Sequence, residues 1–373
     1  MIEINIDIPT ERLPLVLKRW KFSPSPHSLQ KKKSENGQHF SNKSYSSSRV
    51  HTSNKQLPAW ALIVTDVAIT GVCLCVFALF HHVLPRAHQS PVTEIPRPSS
   101  SQAENSAAPS ESDVIDPNDW RAKFADKFSN TLISTDTTYR SKNCAISVDK
   151  QSVTDANGRP ITYYVADIYI AAIENFRTAF AKDTYGRSFT EQTLDMAKRN
   201  NAILAISGDY YGIRDTGVVI RNGELYRSDA YGEVCVLYYD GTMETYKQTE
   251  FNIQNAIDKG AYQAWNFGPA LLNNGEAMTS FDSTLIPKNP RSAIGYYEPG
   301  HYVFVLVDGR QDGYSSGMTL SELSQLFADL GCKVAYNLDG GQTSVMTFGD
   351  HLANQPYRGG RRVSDILYIG ETE

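Results

Sequence analysis

The sequence predicts an α+β fold, a strand-rich mixed sheet domain with a strand–helix–strand unit, preceded by a single transmembrane helix. Three observations predict it. Runs rich in β-branched and aromatic residues recur between 140 and 370 with few long helical patterns. Residues 302–340 read as strand, helix, strand. Ala59–Phe80 is a 22-residue run with one charge, Asp66, long enough to cross a hydrocarbon core of about 30 Å. Hydrophobic residues at 41% and charged residues at 21% exclude a wholly disordered chain and a polytopic membrane protein.

The first 58 residues carry ten Lys or Arg against four Asp or Glu. Residues 21–57 are rich in Ser, Lys, Asn and His, and the tail 1–58 reads as disordered and cytoplasmic. The span, 59–82, opens with Trp60 and closes with His81 and His82. Lys31, Lys32, Lys33, Lys43, Arg49 and Lys55 precede it, and only Arg86 and Arg97 follow before residue 100. The positive-inside rule therefore puts the N-terminus in the cytoplasm and the C-terminal bulk outside. A cleaved signal peptide fits poorly, because the run starts late and is too long. Residues 83–118, with Pro85, Pro91, Pro96, Pro98, Pro109 and Pro117 among Ser, Ala and Glu, predict a spacer. Trp120, Phe124 and Phe128 recur at i, i+4 and i+8, so 119–140 is expected to be a helical lead-in. The main domain is 141–373. Residues 85–373 carry 26 basic and 36 acidic residues, which argues against a nucleic-acid partner.

Side-chain stock narrows the chemistry. Cys73 and Cys75 lie in the span; Cys144, Cys235 and Cys332 lie beyond it, in no C-x-x-C pair. One disulfide among those three is open, and Cys332 reads as a buried small residue. Beyond residue 118 the only histidines are His301 and His351, so a zinc hydrolase or a His-dependent nucleophile is hard to build. Carboxylates must carry proton transfer, and a metal, if one binds, would be Ca²⁺ or Mg²⁺ on oxygen ligands.

The elements of the domain follow in order. Ser188-Phe-Thr-Glu191 reads as a capping box opening a helix. The apolar run Ala202–Ile206 then ends in Ser-Gly-Asp209-Tyr210-Tyr211, an acid beside two aromatics at a strand end, as in a sugar platform or a plain core edge. Gly217-Val-Val-Ile-Arg-Asn-Gly223 is a hairpin turning at Asn-Gly. Arg291, in Pro-Arg-Ser-Ala-Ile-Gly295, opens an apolar strand and offers either a phosphate clamp or a salt bridge. Tyr302–Val307 runs into Asp308-Gly309. Thr319-Leu-Ser-Glu322 is a capping box; Leu320, Leu323, Phe327 and Leu330 keep helical spacing, and Gly331 suits the C-terminal cap. Lys333–Leu338 is a second strand ending in Asp339-Gly340-Gly341. If the two strands are parallel, Asp308 and Asp339 share one edge of the sheet, where ligands bind. Glycines there permit sharp turns with exposed amides, or mark simple tight turns. Arg361-Arg362 precedes the last strand.

Taken together and in order, these motifs resemble the phosphodiester glycosidase family from about Val165 to Ile369. The strongest match is Ala335-Tyr-Asn-Leu-Asp-Gly-Gly-Gln-Thr-Ser344-Val-Met346. Phe267–Leu272, Val307–Arg310 and Gly317–Leu320 support it. Gln342 and Thr343 depart from the family's Gly and Ser. The resemblance implies catalytic roles for Asp339, Asp308 and Asp209. It implies substrate contacts for Arg291, Asn337, Gly340, Gly341, Ser344 and Tyr210. It implies hydrolysis of a sugar-1-phosphodiester, with Asp339 as base or nucleophile and Arg291 with the glycine amides on the departing phosphate. With the anchor, the expectation is a membrane-tethered extracellular hydrolase acting on phosphodiester-linked glycans of an envelope or exopolysaccharide. The alternatives are a non-catalytic carbohydrate-binding or assembly protein, and a metal-dependent phosphodiesterase.

Overall fold

A computed structural model describes residues 58–80, 86–87, 92–98 and 118–372. The cytoplasmic tail expected at 1–57 and most of the spacer lie outside the described residues.

Ala59–Ala78 is one α-helix, long and apolar enough to cross a membrane. None of its residues is buried among the described residues. Three of the chain's cysteines, Cys144, Cys235 and Cys332, are buried free thiols, so the disulfide left open by the sequence does not form.

The domain is built on three sheets. The largest has seven strands in the order Val334–Asn337, Arg291–Glu298, His301–Val307, Pro160–Ile170, Cys144–Thr154, Thr138–Arg140 and Ile133–Ser134. A five-stranded sheet runs His351–Leu352, Met346–Phe348, Leu204–Ser207, Asp365–Ile369 and Phe176–Phe180. A six-stranded sheet runs Met243–Tyr246, Val234–Tyr238, Ala261–Trp265, Val219–Arg221, Glu224–Arg227 and Thr93–Glu94. The α+β, strand-rich class is as expected. Where a mixed sheet was expected, every described ladder is antiparallel.

Side-chain alternation explains the layering. Along His301–Val307, Tyr302, Phe304 and Leu306 enter the central core with Trp265, Leu204, Ile206 and Leu367 from the other two sheets. Val303, Val305 and Val307 point the other way, against Leu320, Leu323 and Phe327 of the helix Leu320–Asp329. That strand is thus buried on both faces, which is why it reads as a continuous apolar run. Two shorter helices close the outer faces of the remaining sheets. Thr193–Arg199 contributes Met196 and Ala197, and Ile253–Asp258 contributes Ala256.

The strand–helix–strand unit explains where the motif ends meet. His301–Val307 and Val334–Asn337 both pair antiparallel with Arg291–Glu298, which lies between them. They therefore run parallel to each other with one strand intervening. Asp308 and Asp339 leave their C-terminal ends on the edge where Arg291 begins. The capping box forms: Glu322 N donates to Thr319 Oγ1 at 3.1 Å and Thr319 N to Glu322 Oε2 at 2.8 Å. The Asn222-Gly223 hairpin also forms, with φ of 52° and 82° at its turn.

Three boundaries move. Residues 119–140 are turns followed by Ile133–Ser134 and Thr138–Arg140, not a helix. Only one i to i+4 bond forms, Phe124 N to Trp120 O at 3.1 Å, before the chain joins the sheet edge. Trp120 and Phe124 still enter the central core. The helix expected after Ser188–Glu191 starts later, at Thr193, because the Glu191 carboxylate is taken by Arg199 and by the Lys182 amide. Finally, Thr93–Pro98 of the expected spacer is docked. Thr93–Glu94 extends the six-stranded sheet, and Ile95 is 1% exposed among Val218, Ile220 and Val236.

Candidate functional site

Three loops meet at the edge where the strands end. Backbone bonds tie them: Asp339 N to Gly208 O (3.1 Å), Leu338 N to Ser292 O (2.8 Å), Gly341 N to Pro290 O (2.9 Å) and Gly208 N to Asp365 O (3.0 Å). The hydroxyls of Ser207 and Ser292 touch at 3.0 Å, and Ser207 Oγ also lies 3.2 Å from Asp339 O. Gly208 and Gly340 let the loops close. A Cβ on Gly208 would stand 2.1 Å from Asp365 Oδ1, and one on Gly340 would stand 2.7 Å from Pro290 O. Both values are inside van der Waals contact, so only glycine fits without displacement.

Asp339 is 8% exposed. Its Oδ2 makes no hydrogen bond, and Arg361 Nη2 lies 3.5 Å away. Burial pushes its carboxyl up to about 6 against the pull of the Arg361 guanidinium. Two more predicted residues carry buried polar atoms without a hydrogen-bond partner, Asn337 at Oδ1 and Ser344 at Oγ. Asn337 Nδ2 is used, donating to Gly268 O at 2.8 Å. Buried polar atoms are nearly always paired, so unpaired atoms on Asn337, Asp339 and Ser344 mark this edge as built for something other than packing.

Asp209 stands one layer deeper, 2% exposed. It accepts from Arg221 Nη2 (2.8 Å), the Asn266 amide (2.8 Å) and the Tyr211 amide (3.2 Å). Arg221 is 1% exposed and also holds Asp365, by Nε at 3.0 Å. Burial pushes the Asp365 carboxyl upward, with Arg221 opposing. This Asp209–Arg221–Asp365 bridge lies under the cleft and joins the five- and six-stranded sheets. Sequence reasoning missed Arg221 and Asp365. Arg221 sat in the Gly217–Gly223 hairpin with no role assigned, and the only signal was an arginine inside an apolar three-residue strand.

The remaining predicted residues separate. Asp308 is not in the cleft. Its carboxylate accepts from Asn354 Nδ2 (2.7 Å), Tyr314 Oη (2.9 Å) and the Gln355 amide (3.1 Å), and burial raises its pKa. It is a staple for the loops beside the site. Arg291 lines the cleft but makes no ion pair among the described residues. Its Nε donates to Met318 O (2.9 Å), and its Nη2 to Leu285 O and Pro287 O (both 2.6 Å). Burial, with Arg310 nearby, lowers it to about 10. The Gly341 amide is used by Pro290 O. Gly340 lines the cleft, and its N makes no backbone bond among the described residues. Tyr210 sits at φ 65° with its ring under the Arg361 guanidinium, 5.1 Å away. Arg310, at φ 58°, reaches to within 3.2 Å of where a Gly341 Cβ would lie; the sequence reading quoted it without assigning it a role.

The cleft holds about 90 Å³ and is lined by Phe267, Arg291, Arg310, Asn337, Asp339 and Gly340, among others. That is room for a phosphate-sized group, well below the several hundred Å³ of a typical ligand pocket. Among the described residues no three of His, Cys, Asp and Glu gather as a metal site. Between the paired acids Asp209 and Asp365 sits Arg221.

Residues 200–370 match the model of the phosphodiester glycosidase family. A SPbeta prophage-derived uncharacterized protein YomE of Bacillus subtilis (strain 168) is 38% identical over 198 residues, half of this chain. The chain spans 30% of that relative's length. The catalytic domain of zebrafish N-acetylglucosamine-1-phosphodiester alpha-N-acetylglucosaminidase, solved auto-inhibited by its pro-peptide, superposes with a TM-score of 0.52. It is 19% identical, with 66% of this chain and 87% of that one covered; at that identity the likeness is one of fold. The matched segment, residues 200–370, holds Asp209, Arg221, Arg291, Asn337, Asp339, Ser344, Arg361 and Asp365, and it is this segment that is similar to the phosphodiester glycosidase family.

Proposed function

We propose that this protein is a membrane-anchored hydrolase that cleaves sugar-1-phosphodiester bonds in extracellular glycans, such as those of an envelope or exopolysaccharide. The observation that carries the reading is the buried carboxylate of Asp339. It has one oxygen unpartnered and a pKa near 6, and it opens on a phosphate-sized cleft bearing two arginines and a glycine amide.

In this reading Asp339, ionised above about pH 6, acts at the anomeric carbon as base for water or as nucleophile. The bond from that carbon to the phosphate oxygen breaks, and its electron pair leaves with the phosphomonoester. Arg291, Arg310 and Gly340 N meet the developing charge. Phosphate is a good leaving group, so a second acid is not needed at that oxygen. Asp209 and Tyr210 position the loop that carries the sugar side, with Asp209 locked by Arg221. Asp308 is a structural staple. The configuration of the released sugar separates the base from the nucleophile.

The departures Gln342 and Thr343 do not argue for a mere binding protein. Gln342 Nε2 donates to Gly360 O at 3.1 Å and Thr343 Oγ1 to Gly340 O at 2.6 Å, so both serve the loop's own structure. The test uses the full chain in detergent with UDP-N-acetylglucosamine and a panel of sugar-1-phosphodiesters, read by mass spectrometry with and without chelator. Sugar release that survives chelation and falls at least a thousandfold in Asp339→Asn is expected. Full activity in that variant overturns the assignment, and saturable binding without turnover by the wild type favours a binding module.

A further inference from the structure

A second cavity holds about 420 Å³. Six of its lining residues define its chemistry: Tyr185, Tyr211, Tyr226, Arg187, Arg214 and Arg227. Tyr185 and Tyr211 stack at 5.2 Å with 16° between planes, and Tyr226 lies 4.8 Å from Tyr185. Tyr185 and Tyr226 are partly exposed and, backed by the buried Tyr211, form an aromatic wall of the kind that packs on apolar faces of sugar rings. Arg227 is more unusual. Its guanidinium donates only to backbone carbonyls, those of Gly217, Arg214 (2.6 Å) and Tyr211 (3.5 Å). No carboxylate is in ion-pair contact with it among the described residues. Burial lowers its pKa, against the weaker attraction of Asp209 and Asp215. Arg187 is paired to Asp215 at 2.8 Å on the exposed rim.

The two cavities are neighbours. Arg214 lines the larger one, and its guanidinium lies 5.5 Å over the ring of Phe267, which lines the cleft. The same guanidinium pulls on the Asp339 carboxylate, and the Tyr211 amide donates to Asp209. The cleft alone has no space for more than a phosphate-sized group. The rest of a substrate must therefore lie beside it, and this cavity is the adjoining space.

We infer that the cavity is a binding site for a further stretch of an anionic glycan, sugar rings against the tyrosines and a phosphate or carboxylate on Arg227 and Arg187. The protein then selects polymer over a single glycosyl phosphodiester. The inference rests on the glycosidase reading for its purpose but not for its measurement.

The experiment pairs two probes on the full chain in detergent: UDP-N-acetylglucosamine and a synthetic N-acetylglucosamine-1-phosphate oligomer of about ten repeats. The cavity variants are Tyr185→Ala and Arg187→Glu, both outside the cleft. In turnover, the oligomer's KM should rise at least tenfold in each variant while kcat/KM for the small probe stays within twofold. In calorimetry, Asp339→Asn should bind the oligomer, and adding either cavity change should weaken that binding at least tenfold. Equal effects on both probes, or none, overturn the inference. If wild type releases no sugar yet the oligomer still binds in a cavity-dependent way, the glycosidase reading fails and the glycan site stands. An uncharged N-acetylglucosamine oligomer that binds as well as the phosphate-linked one overturns the anionic part.

Discussion

Replacing Asp339 by Asn should stabilise the protein at alkaline pH while abolishing its activity. The folded domain holds this carboxyl at about 6 against an ordinary 3.8, chiefly through burial. At about 1.36 kcal/mol per tenfold change in proton affinity, the ionised form is disfavoured by about 3 kcal/mol. The attraction of Arg361 is already within that figure. The direction follows from linkage. A carboxyl raised in the folded state contributes stability that is complete below pH 3.8 and lost as pH rises through 6. Asn carries no charge to bury, so the difference between variant and wild type should grow from about 0.6 kcal/mol at pH 4 to about 3 kcal/mol at pH 8. For a domain of this size that is about 6 to 12 °C in melting temperature. Scanning calorimetry of both proteins at pH 4, 6 and 8, with turnover measured on the same samples, reads both halves. A stability difference that does not change with pH would refute the reasoning, because it would mean the Asp339 carboxylate is not strained by burial. A difference of the opposite sign at pH 8 would mean that the Arg361 contact outweighs burial.

Other consequences are equally specific. The acid limb of kcat/KM should fall with an apparent pKa near 6, and Arg361→Gln should move it upward, since Arg361 favours the ionised form; a limb that stays in place removes Asp339 from the chemistry. Arg221→Met leaves Asp209 and Asp365 facing each other without a cation and should lower stability by about 3 to 5 kcal/mol, read as a urea midpoint; an unchanged midpoint refutes the bridge. Ile95→Ala should lower stability by about 2 to 5 kcal/mol, although it lies in a segment composed like a linker; a shift under about 0.5 kcal/mol would show that the docked strand is peripheral.

Local signals in the sequence were legible where one physical cause acts alone. The capping box at Thr319 and Glu322, the Asn222-Gly223 turn and the two-faced apolar strand His301–Val307 each follow from neighbours a few residues away. The same box at Ser188 and Glu191 failed because a distant partner, Arg199, takes the glutamate. The Trp120, Phe124 and Phe128 stripe gave the right burial and the wrong helix, since a short apolar stripe can reach a core from irregular backbone. At the site, Asp339, Asn337 and Ser344 were legible because glycine and serine cluster around them. Asp308 and Asp339 look alike in sequence, both ending apolar strands before glycine. What separates them is Asn354, Tyr314 and Gln355, which saturate Asp308 and leave Asp339 open. Arg221 and Asp365 lie 144 residues apart, and nothing local announces that pairing.

The geometry also explains why one short motif reaches so far. Asn337 to Ser344 leaves the edge of the seven-stranded sheet, but its neighbours belong to the other sheets: Gly208 ends a strand of the five-stranded sheet, and Asp365 begins another. Asp365 passes its charge contact to Arg221 on the six-stranded sheet. The site is therefore the point where three sheets are pinned together. The pins are close contacts and buried charges rather than apolar area. A Cβ at Gly208 would press on Asp365, whose carboxylate cannot swing away because Arg221 holds it. Rigidity there holds Asp339 partly desolvated with Arg361 its only ion-pair contact among the described residues, a state that free loops would relax by turning the carboxylate to water. The strain that raises its proton affinity is thus maintained by the whole domain, and removing either Gly208 or Arg221 should release it without touching a substrate atom.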